Sequence, residues 1–553
     1  MCIRDRNKFI GKPMSVFNSK VDLESDQFKQ YSDDMLELIK QRKRILDRAK
    51  TKSNEKKSRF EKRGQLTPRQ RLDALIDPES ESLYLYNMAN YLVDDPDPNT
   101  SIPGGNIIGC IGFVSGVRCM ILVDDSGISA GASSDKTIEK ALGCINIAIK
   151  QKLPLIHLVE SAGINLLNYK VELWSNFGAF FYGKARLSAL GIPTIAVLHG
   201  LSTAGGAYQS GMSDYVIGVK NNGMAALAGS ALLKAATGED ASNEELGGVE
   251  MHSVITGLVE YLADDDSQAI DITRNLVKSF NWQKKVQNKS DKTFDEPKYS
   301  IDEIIGIVPI DYKRGYDVRE VIARIVDGSD FMEIKPGFGP TMICIQAKIK
   351  GHQCGIIANN GPIDTQGANK ATQFIQLCDQ LDTPLVFLNN VTGYMVGKKY
   401  EQAGMIKHGA KMIQSVSNVR VPKITFYIGA SFGAGNYGMC GLGYNPDFIF
   451  SWPNAKIGVM GGKQAASTMR QVIEISAKKR NEKLDEKQLE QNELQMIKDF
   501  DKQSDIFYVS GRLLDQGIID PRDTREVISF ALKTCSEAKE RKLKPNSFGV
   551  ARM

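Results

Sequence analysis

Several classes of protein are excluded by what this chain has little of. Its nine cysteines are scattered through 553 residues and never form a Cys-x-x-Cys pair. That distribution argues against a disulfide framework and against a zinc ribbon, and it fits a reducing compartment. No apolar run approaches the ~20 residues of a membrane span. A strong charge bias is also missing. With 70 Lys and Arg against 65 Asp and Glu, the net charge of +5 calls for no nucleic-acid partner. Histidine is scarce: His157, His199, His252, His352 and His408 are the only five. Of these, His157 and His199 fall within strand patterns, where a structural imidazole is expected. Met1-Cys-Ile-Arg-Asp-Arg lacks the apolar core of a secretion signal. Residues 1–13 read either as a short organellar leader or as residues preceding a start at Met14.

What remains is an ordinary globular composition, 42% hydrophobic and 24% charged, in a chain long enough for two domains of roughly 200 residues plus extensions. Two stretches match each other without a gap. Pro193-Thr-Ile-Ala-Val-Leu-His-Gly200-Leu-Ser202-Thr-Ala204-Gly205-Gly206-Ala207-Tyr208 lies over Pro422-Lys-Ile-Thr-Phe-Tyr-Ile-Gly429-Ala-Ser431-Phe-Gly433-Ala434-Gly435-Asn-Tyr437. Pro154-Leu-Ile-His-Leu-Val-Glu-Ser-Ala162-Gly163 lies over Pro384-Leu-Val-Phe-Leu-Asn-Asn-Val-Thr-Gly393. The offsets, 422 − 193 = 229 and 384 − 154 = 230, agree to one residue. One domain is therefore used twice.

Within each copy, short apolar strands alternate with helical patterns, the mark of a layered α/β domain. The spacing predicts strands over 107–114, 120–123, 155–159 and 194–198, with helices over 138–150 and 177–190. The second copy repeats this order, with strands over 342–349, 355–358, 385–389 and 424–428 and a helix over 367–381. Residues from about 32 to 63 are charged, with apolar positions on one helical face, and predict a long solvated helix or hairpin. Thr67 and Pro68 predict a capped helix start running to Leu75. The expected boundaries are an N-terminal extension over 1–64, a first domain over 65–290 and a second over 300–553. The polar stretch 284–297 serves as linker, and the tail after Asp520 returns to pack on the body.

Two motifs are decoys. Gly433-Ala-Gly435-Asn-Tyr-Gly438 satisfies G-x-G-x-x-G, but the next strand pattern at Phe448 arrives too soon for a crossover helix. Gly127-Ile-Ser129-Ala-Gly131 imitates a nucleophile elbow, yet Asp124-Asp125-Ser126 separates it from its strand. The carboxylate pairs Asp124/Asp125, Glu244/Glu245 and Asp264–Asp266 are expected to be solvated loop charges. The paired small-residue turns survive this sorting. A Gly-Gly or Ala-Gly step at a helix start presents consecutive bare N–H donors, and small side chains let a planar carbonyl approach them. Two such sets suggest two bound oxyanions, of which a thioester enolate is one chemistry that preorganised donors favour.

Longer matches carry a resemblance. Leu66-Thr-Pro-Arg-Gln-Arg71-Leu-Asp73, Ala228-Gly229-Ser-Ala-Leu-Leu-Lys234 and Glu245-Leu-Gly-Gly248 in the first half resemble the carboxyltransferase (beta) subunits of biotin-dependent acyl-CoA carboxylases. Tyr316-Asp-Val-Arg-Glu-Val-Ile, Asn390-Val-Thr-Gly393-Tyr394-Met-Val-Gly397 and Trp452-Pro-Asn-Ala-Lys-Ile-Gly-Val-Met-Gly-Gly462 in the second are closest to the methylcrotonoyl-CoA members. The resemblance implies two tandem ClpP/crotonase-like α/β domains behind a helical N-terminal extension. It implies acyl-CoA bound mainly by the first half and carboxybiotin, carried on a separate biotin carboxylase/carrier (alpha) subunit, by the second.

Carried over by position, the Gly205 and Gly206 amides would hold the enolate and the Ala434 and Gly435 amides the biotin ureido oxygen. Ala162, Gly163, Ala204, Ala207 and Gly229 would bind substrate, and Gly393, Tyr394, Gly433 and Tyr437 biotin. No metal on this chain and no membrane partner are implied. A homo-oligomer, as a hexamer, is implied, with bacterial cytoplasm or mitochondrial matrix as the compartment. In the first half, residues 161–177 and 206–211 depart from the methylcrotonoyl pattern, which leaves propionyl-CoA, geranyl-CoA and a biotin-dependent decarboxylase as alternatives.

Overall fold

The computed structural model describes residues 16–164, 170–282 and 293–551. The leader reading of 1–13, most of the 284–297 linker and part of the departing segment 161–177 lie outside them. Two compact units are present, and they are interleaved in sequence rather than contiguous. One comprises Arg42–Asn288, Ser510–Gly517 and Lys533–Met553; the other comprises Met1–Gln41, Lys289–Val509 and Ile518–Leu532.

In the N-half unit the strands are β1 (Leu83–Leu85), β2 (Ile107–Val114), β3 (Val117–Asp124), β4 (Leu155–Ser161), β5 (Thr194–Thr203), β6 (Tyr215–Val219), β7 (Met224–Ala226) and β8 (Tyr261–Ala263). They form one sheet in the order β1-β2-β3-β4-β5-β6-β8, with β7 beside the end of β5. The β1/β2 and β2/β3 pairs are antiparallel and the rest parallel. In the C-half unit, β9 (Met332–Glu333), β10 (Met342–Ile349), β11 (His352–Asn359), β12 (Leu385–Val391), β13 (Lys423–Phe432), β14 (Phe448–Ser451) and β15 (Lys456–Gly458) repeat the plan. Their order is β14-β13-β12-β11-β10-β9, with β15 beside β13. The predicted strands all form, and the helices Asp135–Gln151 and Thr365–Gln380 occupy the same place in each copy.

Strands β4 and β12 carry apolar residues in sequence because helices or loops cover both faces of a parallel sheet. The N-half core gathers Ile121, Val123, Ile156, Leu158, Val197 and Ile217. In the C-half, Cys344, Ile357, Phe374, Phe387, Met412 and Val416 serve the same purpose. The helix Asp26–Asn54 is single and continuous. Its Met35 and Ile39 pack on Ile305, while Ser53 hydrogen-bonds Asp125 at 2.6 Å. Thr67 caps the helix Pro68–Leu75 as expected, with Pro68 in its first turn, and Gln70 completes a capping box.

The interleaving has a physical cause at the C-terminus. Arg118, fully buried on β3, meets Glu537 through two hydrogen bonds of 3.0 and 3.1 Å. Arg541 lies over the Trp282 ring and donates to the Lys152 carbonyl at 3.1 Å, while Lys152 donates back to the Arg541 carbonyl at 2.7 Å. The segment carrying Glu537 and Arg541 thus closes the first unit's core.

The expectation of solvated carboxylate pairs needs correction. Glu244 and Glu245 are exposed, and Glu245 completes the capping box of Ser242. Asp124, Asp125 and Asp266, by contrast, are buried. Arg71 donates to Glu160 at 2.7 Å and to Asp266 at 2.9 Å, and Asp266 also pairs with His199 at 2.7 Å. Asp124 meets His157 at 3.1 Å. The expected structural imidazoles are therefore present, with carboxylate partners that local sequence does not announce. Burial raises the Asp266 carboxyl, but His199 and Arg71 outweigh it and hold the group at about 2.

A depressed carboxylate contributes stability above its unfolded value and loses it as pH falls through its folded value. Asp266 therefore contributes about 2 kcal/mol above pH 4, and this disappears toward pH 2. The gap in urea midpoint between wild type and Asp266→Asn is expected to shrink by roughly half from pH 6 to pH 3. An unchanged gap would refute this assignment.

Candidate active site

Each sheet carries the same irregularity at the C-terminal end of its central pair. Val159 pairs with Leu198, and the next pair is Ser161 with Ser202. In the C-half, Asn389 pairs with Tyr427, and the next pair is Val391 with Ser431. Three residues of the longer strand thus oppose one of the shorter, Glu160 or Asn390, in a bulge that bends the strand end. A Cβ at Gly200 would lie 2.7 Å from the Glu160 side chain, and one at Gly429 would lie 2.4 Å from Asn390 Oδ1. This close approach explains why glycine coincides at that position of the repeat.

Beyond the bulge each long strand enters its turn through a left-handed residue, Ala204 at φ 53° and Gly433 at φ 55°. For Ala204 this costs roughly 1 kcal/mol. Gly205 and Gly206, or Ala434 and Gly435, then start a short helix, where the first N–H groups have no intrahelical acceptor. Space in front of them is tight. A Cβ at Gly205 would stand 2.1 Å from Phe177 Cε1, and one at Gly435 2.9 Å from both Gly393 Cα and Val391 Cγ2. At Gly206 the nearest atom would be Ser202 Oγ at 3.0 Å.

The shorter strands lead into a second loop against each turn. Gly163, at φ 81°, accepts a hydrogen bond from Ser133 N at 2.7 Å, and Gly393, at φ 128°, accepts one from Ile363 N at 3.0 Å. A Cβ on Gly163 would meet the Thr203 carbonyl at 3.3 Å. The fold therefore brings Gly163, and with it Ala162, against Ala204–Gly206, and it brings Gly393 against Gly433–Gly435. Ala207 follows directly in the short helix and packs against the Val159–Leu198 core. Gly229 caps the helix Ser230–Thr237 just after β7, which pairs with Leu201–Thr203. Tyr437 is half-exposed beside the Tyr444 ring. Tyr394 lies beneath the turn: it packs on the C-half core, and its hydroxyl donates to the Gly409 carbonyl at 3.4 Å.

The two turns share a backbone but are backed by different chemistry. Glu160 N donates to Asp124 at 3.1 Å, and at the equivalent place Asn390 N donates to Asn359 at 3.4 Å. The N-half support is ionic, built from Arg71, Glu160, Asp124 and Asp266. The C-half support is neutral: Asn390 Oδ1 accepts from Ala430 N at 3.3 Å, and Asn389 donates to the Met439 carbonyl at 2.9 Å. Burial, then Arg71, pushes the His199 imidazole down, against the pull of Asp266. Sequence reasoning missed this support. Its one signal was Arg71, inside a quoted motif but far in sequence from both carboxylates.

Aromatic side chains flank the first turn. Phe177, Phe180 and Phe181 on the helix Val171–Ala189 contact one another, and Phe181 meets the Tyr208 ring edge-on at 5.8 Å. Among the described residues, no group of three or more His, Cys, Asp or Glu is placed to hold a metal, and no helix is long and apolar enough to cross a membrane.

The carboxyl transferase domain model matches residues 59–550, both turns included. The chain belongs to the carboxyl transferase family. It is similar to the mitochondrial methylcrotonoyl-CoA carboxylase beta chain of Dictyostelium discoideum, 41% identical over 98% of this chain and 92% of that one. It is 41% identical to the biotin-dependent 3-methylcrotonyl-coenzyme A carboxylase beta1 subunit of Mycobacterium tuberculosis, over 95% of this chain and 98% of that one. The crystal structure of the P. aeruginosa geranyl-CoA carboxylase beta subunit superposes with a TM-score of 0.90 at 44% identity, covering 98% of this chain and all of the other. The tandem crotonase-like fold that the resemblance implies is the fold of this family, and the chain is an enzyme of the carboxyltransferase kind.

Gly435→Ala must displace backbone atoms of Gly393, because no flexible side-chain tip is there to yield. Turnover is expected to fall about 100-fold. Gly211→Ala, whose new Cβ meets nothing within 4 Å, should leave turnover unchanged. Steady-state rates with melting curves check both, and an active Gly435→Ala enzyme would remove the turn from the site.

Proposed function

We propose that this chain is the carboxyltransferase subunit of a biotin-dependent acyl-CoA carboxylase whose substrate is 3-methylcrotonoyl-CoA. The observation that carries the reading is the duplicated turn: two sets of bare main-chain donors, built alike and supported differently. The enolate of a thioester concentrates negative charge on one oxygen, and the Gly205 and Gly206 amides suit it. Donors fixed before the reaction stabilise that charge without reorganising, and removal of one such donor typically costs 10²–10³ in rate. The Ala434 and Gly435 amides suit the flat ureido oxygen of biotin, and a side chain at 435 would collide with the Gly393 and Val391 that shape the turn. When bound, carboxybiotin supplies the carboxyl group and, after releasing it, the base for the substrate proton. The chain itself needs no general base; it binds, orients and stabilises charge.

In this reading the catalytic unit is a homo-oligomer, with the N-half turn of one protomer serving the C-half turn of another. Matched apolar residues support it. Tyr208 and Leu227 beside the first turn are 51% and 62% exposed, and Tyr437 and Val459 at the equivalent places are 50% and 61% exposed. Such side chains repeated around two sites are those that a protein interface covers. The partner is a biotin-carrying alpha subunit, and hexameric assembly in a bacterial cytoplasm or mitochondrial matrix completes the proposal. Geranyl-CoA is the second reading, favoured by the similarity to the geranyl-CoA carboxylase subunit.

The purified chain is expected to hydrolyse no ATP, yet to move carboxyl groups between malonyl-type thioesters and added free biotin. ATP hydrolysis by this subunit alone would contradict the reading. With the biotinylated partner, an acyl-CoA panel should give a higher kcat/KM for 3-methylcrotonoyl-CoA than for propionyl-CoA. A preference for the straight chain would overturn the substrate assignment.

A further inference from the structure

The helix Val171–Ala189 meets the N-half turn from two sides. Its Phe177, Phe181, Lys184 and Ser188 follow one another at steps of four, three and four residues, which sets them on one helical face. Phe177 and Phe181 stand before the turn, against Gly205 and Tyr208. Lys184 and Ser188 reach behind it. Lys184 is fully buried, and its ammonium donates to the Gln209 carbonyl at 2.5 Å and to Ser213 Oγ at 2.8 Å. Ser188 Oγ donates to Asp214 at 2.5 Å, and Asp214 also accepts from Thr194 N, at the start of β5, at 2.9 Å.

Gln209 lies near the end of the short helix Ala207–Gly211, in the stretch 206–211 that departs from the methylcrotonoyl pattern. The amide four residues on, Ser213 N, goes to the Ser210 carbonyl at 3.0 Å. Side chains take up the Gln209 carbonyl instead: Ser213 Oγ donates to it at 2.8 Å, beside Lys184. Lysine is favoured at the last carbonyls of a helix, and a charge-assisted bond holds more firmly than a neutral one. The Gln209 side-chain oxygen, also buried, meets no partner among the described residues, whereas its main-chain oxygen meets two. Gly206 lies less than one helical turn earlier, ~4.5 Å along the axis. A displacement of the gripped carbonyl therefore carries to the bare amides.

We infer that Lys184 is a positioning residue for the reaction proposed above: its hold on the Gln209 carbonyl fixes the Gly205 and Gly206 amides in place. The role rests on that reading, in which those amides receive the enolate oxygen. With no exposed surface, the Lys184 side chain acts through the main chain it holds. The enolate charge develops only as the reaction proceeds. A loosened turn therefore costs transition-state stabilisation and spares ground-state binding, so kcat falls while KM holds. A merely structural lysine would lower the melting temperature and leave both constants where they were. A lysine that shaped the acyl pocket, through Phe177 and Phe181 on the same helix, would raise KM.

The test uses the full chain in two variants. Lys184→Met keeps the side-chain stem and removes the donor, and Ser213→Ala leaves the ammonium in place. With the biotinylated partner, kcat is expected to fall about tenfold in Lys184→Met and about threefold in Ser213→Ala, with KM for the acyl-CoA within about twofold of wild type. Amide hydrogen exchange over residues 204–214, followed by mass spectrometry well below the melting temperatures, should quicken in the same order. Wild-type kcat in both variants, a rise in KM beyond that range, or unchanged exchange overturns the inference. Should Lys184→Met not fold, Ser213→Ala carries the same readouts. Absence of carboxyl transfer by the wild type, alongside quicker exchange in the variants, would count against the proposed reaction and leave the hold on the turn standing.

Discussion

A side chain at the end of each short central strand lies where the neighbouring strand has no β-carbon. Glu160 occupies the space in front of Gly200, and Asn390 that in front of Gly429. This contact goes with the three-against-one bulge, and the bulge throws the long strand into its left-handed step at Ala204 or Gly433. The bare amides follow from that step. Larger residues at 200 or 429 would therefore disturb donors several residues away without touching them.

The same backbone device is backed in two chemical dialects. The N-half surrounds its bulge with Arg71, three carboxylates and two imidazoles, all buried. The C-half uses the amides of Asn359, Asn389 and Asn390. A buried ionic cluster holds geometry firmly only while every partner is present, since loss of one strands a charge. An amide network makes a weaker demand. Duplication has kept the scaffold and let the support diverge, as would be expected if the two turns hold oxygens of different charge.

Much of this was legible in sequence, and the limits are instructive. Strands β4, β5, β12 and β13 and the equivalence of their turns could be read from a gapless match, because hydrophobic period and turn glycines are local signals. The cap at Thr67 and Pro68 was local too. The burial of Asp124, Asp125 and Asp266 was not, because a carboxylate's environment depends on partners such as Arg71 and Ser53, brought together only by the fold. The interleaving of the units was hidden for the same reason. Nothing near Arg118 hints that its counter-charge is Glu537, 419 residues on.

That last pairing bears on how the protein is made. A ribosome delivers the N-half sheet long before it delivers residues 533–553, yet Arg118, Trp282 and Lys152 meet partners from that segment. Until that segment emerges, the Glu537 carboxylate that meets Arg118 in the folded unit has not yet been made. The first unit is a vault whose bolt is cast long after its walls, so a nascent chain or one cut short before residue 533 exposes this unit unfinished to the cell's proteases and chaperones.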